Sequence, residues 1–118
     1  MTYVAGMVAA VPAADKEKML AHAQGAAKLI LEFGATRVTD CWGDDVPEGK
    51  VTDFFRAVKA EKDEVILFSW IEFSSRAAYE QVFEKMMSDP RMAELGDMPF
   101  DGKRMIFGGF DVLLDMSA

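Results

Sequence analysis

The chain has 118 residues, of which 51% are apolar and 28% charged, a balance typical of one folded globular domain rather than a disordered chain. Lys and Arg total 13 against 20 Asp and Glu, and the resulting net charge of −7 opposes binding to phosphate backbones, so we expect no nucleic-acid partner. The single cysteine excludes a disulfide within the chain and fits a reducing compartment.

The first third of the sequence predicts a strand, a helix and a second strand. Tyr3 to Val11 is an apolar run of the kind found in strands. Asp15 is suited to cap the start of a helix and Gly34 to end it. Apolar residues recur between them at helical spacing and form a predicted buried stripe of Met19, Ala23, Ala26, Ala27, Ile30 and Phe33. Arg37 to Trp42 is the predicted second strand.

The middle of the chain predicts a loop and then the strongest strand. Gly43 to Lys50 combines Gly, Pro and adjacent acids, which is typical of a loop. Thr52 to Val58 fits either an irregular strand or a short helical turn, and periodicity does not separate the two. Glu64 to Phe73 is the strand, apolar along most of its length.

The remainder predicts a second long helix and a last strand. Ser74 or Ser75 caps the helix and Pro90 ends it, because proline cannot continue a helix without losing a hydrogen bond. Its predicted buried stripe consists of Ala78, Tyr79, Val82, Phe83, Met86 and Met87. One further helical turn, Arg91 to Leu95, precedes a loop and the last strand. That strand is predicted over Met105 to Leu114, and the Gly108–Gly109 pair within it indicates a bulge or close packing.

The order strand, helix, strand, strand, helix, strand is that of a ferredoxin-like βαββαβ unit, an α+β fold with an antiparallel sheet and two helices on one face. No linker or repeat divides the sequence, so one domain over residues 1–118 is expected. The apolar stretches are too short to cross a membrane, and no basic region precedes the first of them. We therefore expect no signal peptide, no membrane partner and a cytoplasmic location.

The two central strands are apolar on both faces, which predicts a homodimer. In the third strand Leu67 and Ile71 point to one face, while Phe68 and Trp70 point to the other. An antiparallel sheet with one face in water should alternate apolar with polar residues. Two helices cover one face only, and the sequence offers no further element for the other, so a second copy of the chain is the expected cover.

His22 is the only histidine and is the candidate catalytic residue, as a general base or ligand facing a cavity. A hydrogen-bonded, partly buried histidine is the alternative. No His-x-x-x-His or Cys-x-x-Cys pair is present, so we expect neither a metal site nor a cofactor. The acids between Asp40 and Asp53 do not follow the calcium-loop template, and either turn geometry or a ligand site explains them.

Further candidate ligand contacts come from aromatic and charged residues near strand ends and loops. The proposed ligand-binding set is Tyr3, His22, Trp42, Asp44, Asp45, Arg91 and Lys103. An arginine and a lysine are suited to a carboxylate or phosphate on a small ligand, and ion pairing is the alternative for both. The methionine share is unusual in and after the second helix, and it suits either core packing or an apolar pocket beneath that helix. These methionines are Met86, Met87, Met92, Met98 and Met105.

Two segments resemble a known family. The first runs from Cys41 to Phe54. The second consists of Asp89 to Met92, followed by Met98 to Ile106 and Gly108 to Phe110. Both are similar to signatures of the bacterial domain of unknown function 1428 family. The resemblance implies a dimeric α/β barrel. It implies no activity, because the family has no established one. The wider barrel superfamily includes cofactor-free monooxygenases and isomerases, which is an analogy of fold.

Three functions therefore stand as predictions from the sequence. The first is a dimeric protein that binds a small apolar or aromatic molecule in a pocket between sheet and helices. The second is a cofactor-independent monooxygenase or isomerase that uses His22 or an acid facing that pocket. The third is a structural or regulatory dimer without enzymatic activity, which requires a filled core.

Overall fold

Within residues 2–118, which a computed structural model describes, the chain forms four strands and four α-helices. In chain order these are β1 (Tyr3–Pro12), α1 (Lys16–Phe33), β2 (Arg37–Trp42), α2 (Phe54–Ala57), β3 (Glu64–Phe73), α3 (Arg76–Ser88), α4 (Pro90–Glu94) and β4 (Ile106–Asp111). A short 3-10 turn, Ala13–Asp15, joins β1 to α1. The segment that fitted either a strand or a helical turn is therefore a turn of helix, α2.

The strands form one antiparallel sheet in the order β2-β3-β1-β4. The longest pairing joins β1 to β3 over their whole length, from Tyr3 opposite Phe73 to Pro12 opposite Glu64. β4 pairs with the other edge of β1, and β2 with the other edge of β3. This topology confirms the predicted ferredoxin-like α+β fold.

Helices α1 and α3 cover one face of the sheet, called here the helix face. Because side chains alternate along a strand, the odd-numbered residues of β1 point to this face. Together with residues of α1, β3 and α3 they form the main core, which consists of Tyr3, Ala5, Val11, Met19, Ile30, Phe33, Leu67, Phe73 and Val82. Phe73 and Val82 are almost completely buried and join β3 to α3.

The opposite face is partly covered by the chain itself, which differs from the sequence prediction. Val58, just after α2, is fully buried against Val8, Ala10 and Ile66, with Phe55 beside it. The segment that follows β2 thus folds back over one end of this face. The prediction that the chain had no element for this face was wrong, because a four-residue helix carries too little periodicity to be recognised as a cover.

The Gly108–Gly109 pair marks close packing rather than a bulge, since the β1–β4 register runs through it without interruption. The aromatic ring of Tyr3 lies over Gly109, and a Cβ built on that glycine would stand 2.5 Å from the Tyr3 hydroxyl oxygen. The ring also packs against Tyr79 of α3, with centroids 4.8 Å apart. Glycine at this position therefore makes room for the aromatic contact that holds α3 on the sheet.

Two predictions about single elements were wrong. The last strand ends at Asp111 and not at Leu114, because Asp111 already pairs with the first residue of β1, and Leu113 is 98% exposed. Met87 is 88% exposed rather than part of the buried stripe of α3. Met87 lies five residues after Val82, the buried centre of the stripe, and at about 100° per residue this places it about 140° further around the helix.

Capping follows the sequence for α3 and differs for α1. The Ser75 hydroxyl accepts a hydrogen bond from the Ala78 backbone N–H, 3.1 Å away, and fixes the start of α3. Asp15 precedes α1, but its carboxylate lies 3.8 Å from Lys18 Nζ and makes no capping hydrogen bond within the described residues. Gly34 ends α1 with a positive φ of 129°, as expected for a helix stop.

Two arginines attach the segment between α4 and β4 to the rest of the fold. Arg104 donates two hydrogen bonds to Glu64 at the start of β3, at 2.7 and 2.9 Å, and a third to Asp101 at 3.1 Å. Arg91 donates to Glu32 of α1 and to Asp89. Paired guanidinium and carboxylate groups of this kind set orientation as well as adding stability. Both ends of the segment are therefore held in place.

The Glu64–Arg104 pair should make the free energy of unfolding depend on pH at acidic pH. The hydrogen bonds from Arg104 hold the pKa of Glu64 below its usual value. The stabilising contribution is complete above the unfolded pKa of about 4.3 and is lost as the pH falls through the lower folded pKa. In Glu64→Gln the free energy of unfolding, measured by urea denaturation, should therefore decrease less between about pH 5 and lower pH than it does in the wild type.

Glu80→Gln is the matched control, because Glu80 pairs with Arg76 at 3.2 Å on the exposed surface of α3. An exposed pair contributes little, so this variant should follow the wild-type curve. A Glu64→Gln curve parallel to that of the wild type would contradict the assigned role.

Candidate functional site

A mostly apolar cavity of about 460 Å³ lies between the helix face of the sheet and the helices α1 and α3. The sheet contributes Ala5, Met7 and Ile71 to its floor. Ala26 and Ile30 of α1 and Phe83 of α3 are among the residues of the walls. The volume is within the range of small-molecule sites in proteins, about 300–1,000 Å³.

The cavity exists because α1 presents small side chains to the sheet. Ala23, Ala26 and Ala27 belong to the stripe that the sequence predicts as buried, yet all three are only half-buried. They line the cavity, whereas Phe33 of the same stripe is buried and is not part of the wall within the described residues. Larger side chains at the alanine positions would fill that space.

Methionines from several separate elements meet around this cavity. They are Met7, Met19, Met86, Met92, Met98 and Met105. The unbranched thioether side chain adapts to irregular shapes and makes favourable contacts with aromatic rings. Of the methionines noted in the sequence, all but Met87 line the cavity, as the pocket interpretation of that pattern requires.

His22 lies on the cavity wall, one turn after Met19 on α1. Its Nε2 atom is 3.4 Å from the backbone carbonyl oxygen of Gly96, in the loop after α4. A carbonyl oxygen only accepts, so Nε2 carries the proton in this contact. In the neutral ring Nδ1 is then a hydrogen-bond acceptor.

A second polar group on the cavity wall joins β2 to β3. The Ser69 hydroxyl donates a hydrogen bond to Asp40 Oδ1 at 2.5 Å, and the two residues are directly opposite each other in the sheet. Ser69 is only 6% exposed. It is not among the residues predicted from the sequence. The available signal was a lone polar residue at the centre of the apolar strand Glu64–Phe73.

Tyr3 and Trp42 are predicted ligand contacts that the structure places in packed regions. Tyr3 is buried beneath Tyr79 and over Gly109. Trp42 packs with the core around Val11, and Lys16 Nζ lies 5.7 Å from the centre of its ring. Neither side chain is part of the cavity wall within residues 2–118.

The charged predicted contacts also lie away from the cavity. Asp44 and Asp45 are exposed in the loop after β2. Arg91 is engaged with Glu32 and Asp89, and Lys103 is exposed in a turn where its backbone N–H donates to Asp101. Of the proposed set, His22 is thus the member that lines the cavity, and a ligand-binding role for the others stays a prediction.

Part of the acidic loop has a structural task. Asp53 Oδ1 accepts a hydrogen bond from the Arg56 N–H at 2.7 Å, and Oδ2 accepts one from the Gly49 N–H at 3.1 Å. The hydrogen bond from Arg56 is the main cause that lowers the pKa of Asp53. This carboxylate therefore caps α2 and holds the loop before it, next to the part of the opposite sheet face that α2 and Val58 cover.

The face of the sheet opposite the helix face has an exposed apolar surface in the part that α2 does not cover. This surface, called the open face, consists of Val4, Phe68, Trp70, Ile106 and Phe110. Phe68 is 44% exposed and Phe110 60% exposed. The Trp70 indole N–H donates to Glu72 at 3.1 Å, at the margin of the surface.

Two other kinds of site are absent from the described residues. No helix there has both the length and the apolar composition needed to cross a membrane. No group of three or more His, Cys, Asp and Glu side chains is arranged there so that it could hold a metal ion.

The sequence matches the family model described as protein of unknown function (DUF1428) over residues 2–102. It is 56% identical over 116 residues to the uncharacterized protein YbaA of Escherichia coli strain K12, an alignment that covers 98% of this chain and 99% of the relative. The same figures hold for the uncharacterized protein YbaA of Shigella flexneri. The chain therefore belongs to the DUF1428 family, and the resemblance noted in the sequence is confirmed.

Two solved structures have a similar fold at low sequence identity. Rv0793 from Mycobacterium tuberculosis is 12% identical, with a TM-score of 0.54 over 99% of this chain and 100% of that one. A dimeric ferredoxin-like protein from an uncultured marine organism is 12% identical, with a TM-score of 0.55 over 99% of this chain and 98% of that one. At this identity the likeness concerns the fold alone.

Proposed function

We propose that this member of the DUF1428 family binds a small apolar or aromatic molecule between its sheet and its two long helices. The observation that carries the proposal is the cavity of about 460 Å³ lined by alanines, methionines and aromatic side chains. Ligand sites are typically apolar with a few polar groups, and here those groups are His22 and the Ser69–Asp40 pair.

The cavity also bears on the alternative of a purely structural or regulatory dimer. That alternative expects a core filled to the density of protein interiors, which leaves few voids larger than a water molecule. Alanines facing open space lower stability relative to larger side chains that would fill it. A binding role accounts for this arrangement and a structural role does not.

An enzymatic version of the same site is the second candidate. It is favoured by the presence of an imidazole and a carboxylate, His22 and Asp40, on the wall of an apolar cavity. Such groups transfer protons in general acid–base catalysis. The chemistry would be cofactor-independent oxygenation or isomerisation of the bound molecule, with His22 as the base.

We also propose that the open face pairs with the same face of a second copy. The surface is apolar and includes Phe68, Ile106 and Phe110 at substantial exposure, so water is a poor partner for it. The carboxylate at its margin, Glu72, lies 3.8 Å from Arg37, so its charge is partly neutralised and two copies related by a twofold axis meet without strong repulsion. The dimeric ferredoxin-like protein of similar fold lends support.

A cytoplasmic location and the lack of a nucleic-acid partner complete the proposal. The lone cysteine, Cys41, supports a reducing compartment. The net charge of −7 opposes association with nucleic acid.

Filling the cavity should abolish ligand binding. Ala27→Phe places a large ring in the space beside α1, so a molecule retained by the wild-type protein should be lost. Native mass spectrometry measures the retained mass directly. Ala21→Phe is the control, because it makes the same change on the exposed side of the same helix and should leave the bound mass unchanged.

Thermal unfolding of both variants shows whether Ala27→Phe is folded. A folded Ala27→Phe protein that keeps the same bound mass would contradict the proposed site. A wild-type protein that carries no extra mass after purification, and binds none of a panel of apolar and aromatic compounds, would do the same.

The proposed dimer should separate when charge enters the open face. Phe110→Glu should raise the dissociation constant by about thirtyfold or more, as for loss of a central aromatic contact. Met87→Glu, on the exposed side of α3, should not change it. Sedimentation velocity over a concentration series measures both, and a wild-type monomer, or a Phe110→Glu dimer of undiminished affinity, would refute the interface.

The enzymatic candidate requires His22. With an aromatic hydroquinone as probe and oxygen uptake as the assay, His22→Ala should lower kcat by about a hundredfold or more, the usual contribution of a general base. Gln24→Ala, exposed on α1, is the control and should retain wild-type kcat. Oxygen uptake at the wild-type rate in His22→Ala would exclude His22 as the base.

A further inference from the structure

The polar groups on the cavity wall mainly accept hydrogen bonds, and we infer that the occupant is an aromatic molecule with a hydrogen-bond donor and no negative charge. This inference rests on the proposed binding function and specifies its ligand. It follows from four features of the wall: the carboxylates, the imidazole, the distribution of charge, and the methionine and aromatic side chains.

The Asp40 carboxylate, on an exposed residue of β2, is a charged acceptor on the wall. Ser69 has one hydroxyl proton and donates it to Asp40 Oδ1, so it has none left for a ligand. The carboxylate keeps lone pairs on both oxygens. A second carboxylate, Asp97, lines the cavity next to the Gly96 turn. A hydroxyl or amine on the ligand is the matching group for either acid.

The imidazole of His22 adds a further acceptor. Its Nε2–H is directed to the Gly96 carbonyl oxygen, which leaves Nδ1 of the neutral ring without a proton. Tyr79 also lines the cavity, and a tyrosine hydroxyl both donates and accepts. Donors that a ligand carboxylate or phosphate would need are therefore scarce in this site.

The distribution of charge on the wall also disfavours anions. Among the described residues, the wall contains two aspartates and neither Lys nor Arg. The nearby Arg91 lies outside it and is already paired with Glu32 and Asp89. An anion entering an apolar site beside carboxylates would lose its hydration and gain no opposite charge, which is costly.

The apolar part of the wall favours a flat ring over a branched aliphatic group. Six methionines and the rings of Phe83 and Phe107 surround the space. Thioether sulfur and ring edges both make favourable contacts with an aromatic ring. The site thus combines an aromatic compartment with an accepting polar end.

Three probes that share one ring system separate these contributions. They are 2-naphthol, which carries a donor, 2-methoxynaphthalene, which does not, and 2-naphthoate, an anion at pH 7. Isothermal titration calorimetry with the purified full chain should give 2-naphthol about tenfold tighter binding than the methyl ether, and at least about tenfold tighter than the carboxylate. A hydrogen bond to a charged group contributes affinity of this order.

Asp40→Asn tests the role of charge. The side-chain amide keeps an oxygen that accepts from Ser69 or from a ligand but removes the negative charge. The preference for 2-naphthol over 2-naphthoate should fall about tenfold, whereas a merely loosened fold would weaken all three probes together. Asp63→Asn is the control, because it makes the same substitution in an exposed turn and should leave the preference unchanged.

The outcomes separate this inference from the function on which it rests. Equal affinity for the three probes, or tightest binding of 2-naphthoate, would overturn the inference and leave the cavity as a ligand site. An unchanged preference in Asp40→Asn would overturn the part assigned to that carboxylate. Failure of every probe to bind the wild-type protein, or binding that Ala27→Phe does not abolish, would remove the proposed function and the inference with it.

Discussion

A four-stranded sheet with apolar side chains on both faces is the constraint on which this structure depends. Such a sheet is stable only when both faces are removed from water, since the hydrophobic effect scales with the apolar area buried. The two long helices cover one face, and α2 together with Val58 covers one end of the other face. What remains uncovered, around Phe68 and Phe110, is where the interface of the proposed dimer lies.

The same constraint explains why a cavity arises on the face that the helices cover. Large residues at the ends of α1, Met19 and Phe33, set the distance between helix and sheet. The alanines between them are too small to bridge that distance, so space remains above the centre of the sheet. The cavity is therefore a consequence of how side-chain size varies along one helix stripe.

The wall of the cavity is held in position by charged groups that do not face it. Arg91 fastens α4 to α1 through Glu32, and Arg104 fastens the end of the following loop to Glu64. The intervening segment supplies Gly96, Asp97 and Met98 to the wall. Arg91, a candidate anion contact in the sequence, is thus part of the frame of a site whose own polar groups are mainly acceptors.

The sequence by itself determined the elements, their order and the family, because strands and helices leave periodic patterns and glycine, proline and serine mark their ends. Those patterns are local, and they correctly bounded β2 and β3 and placed the end of α1 at Gly34. Only the tertiary structure decided which of the candidate residues share one space. His22 lines the same cavity as Asp40 and Ser69 because α1 packs over β1 and β2. Tyr3 and Trp42 instead pack in the core, and Arg91 forms ion pairs. Periodicity records which side of an element is apolar, but whether that side meets a neighbour or an empty volume depends on side-chain sizes summed across elements distant in the chain.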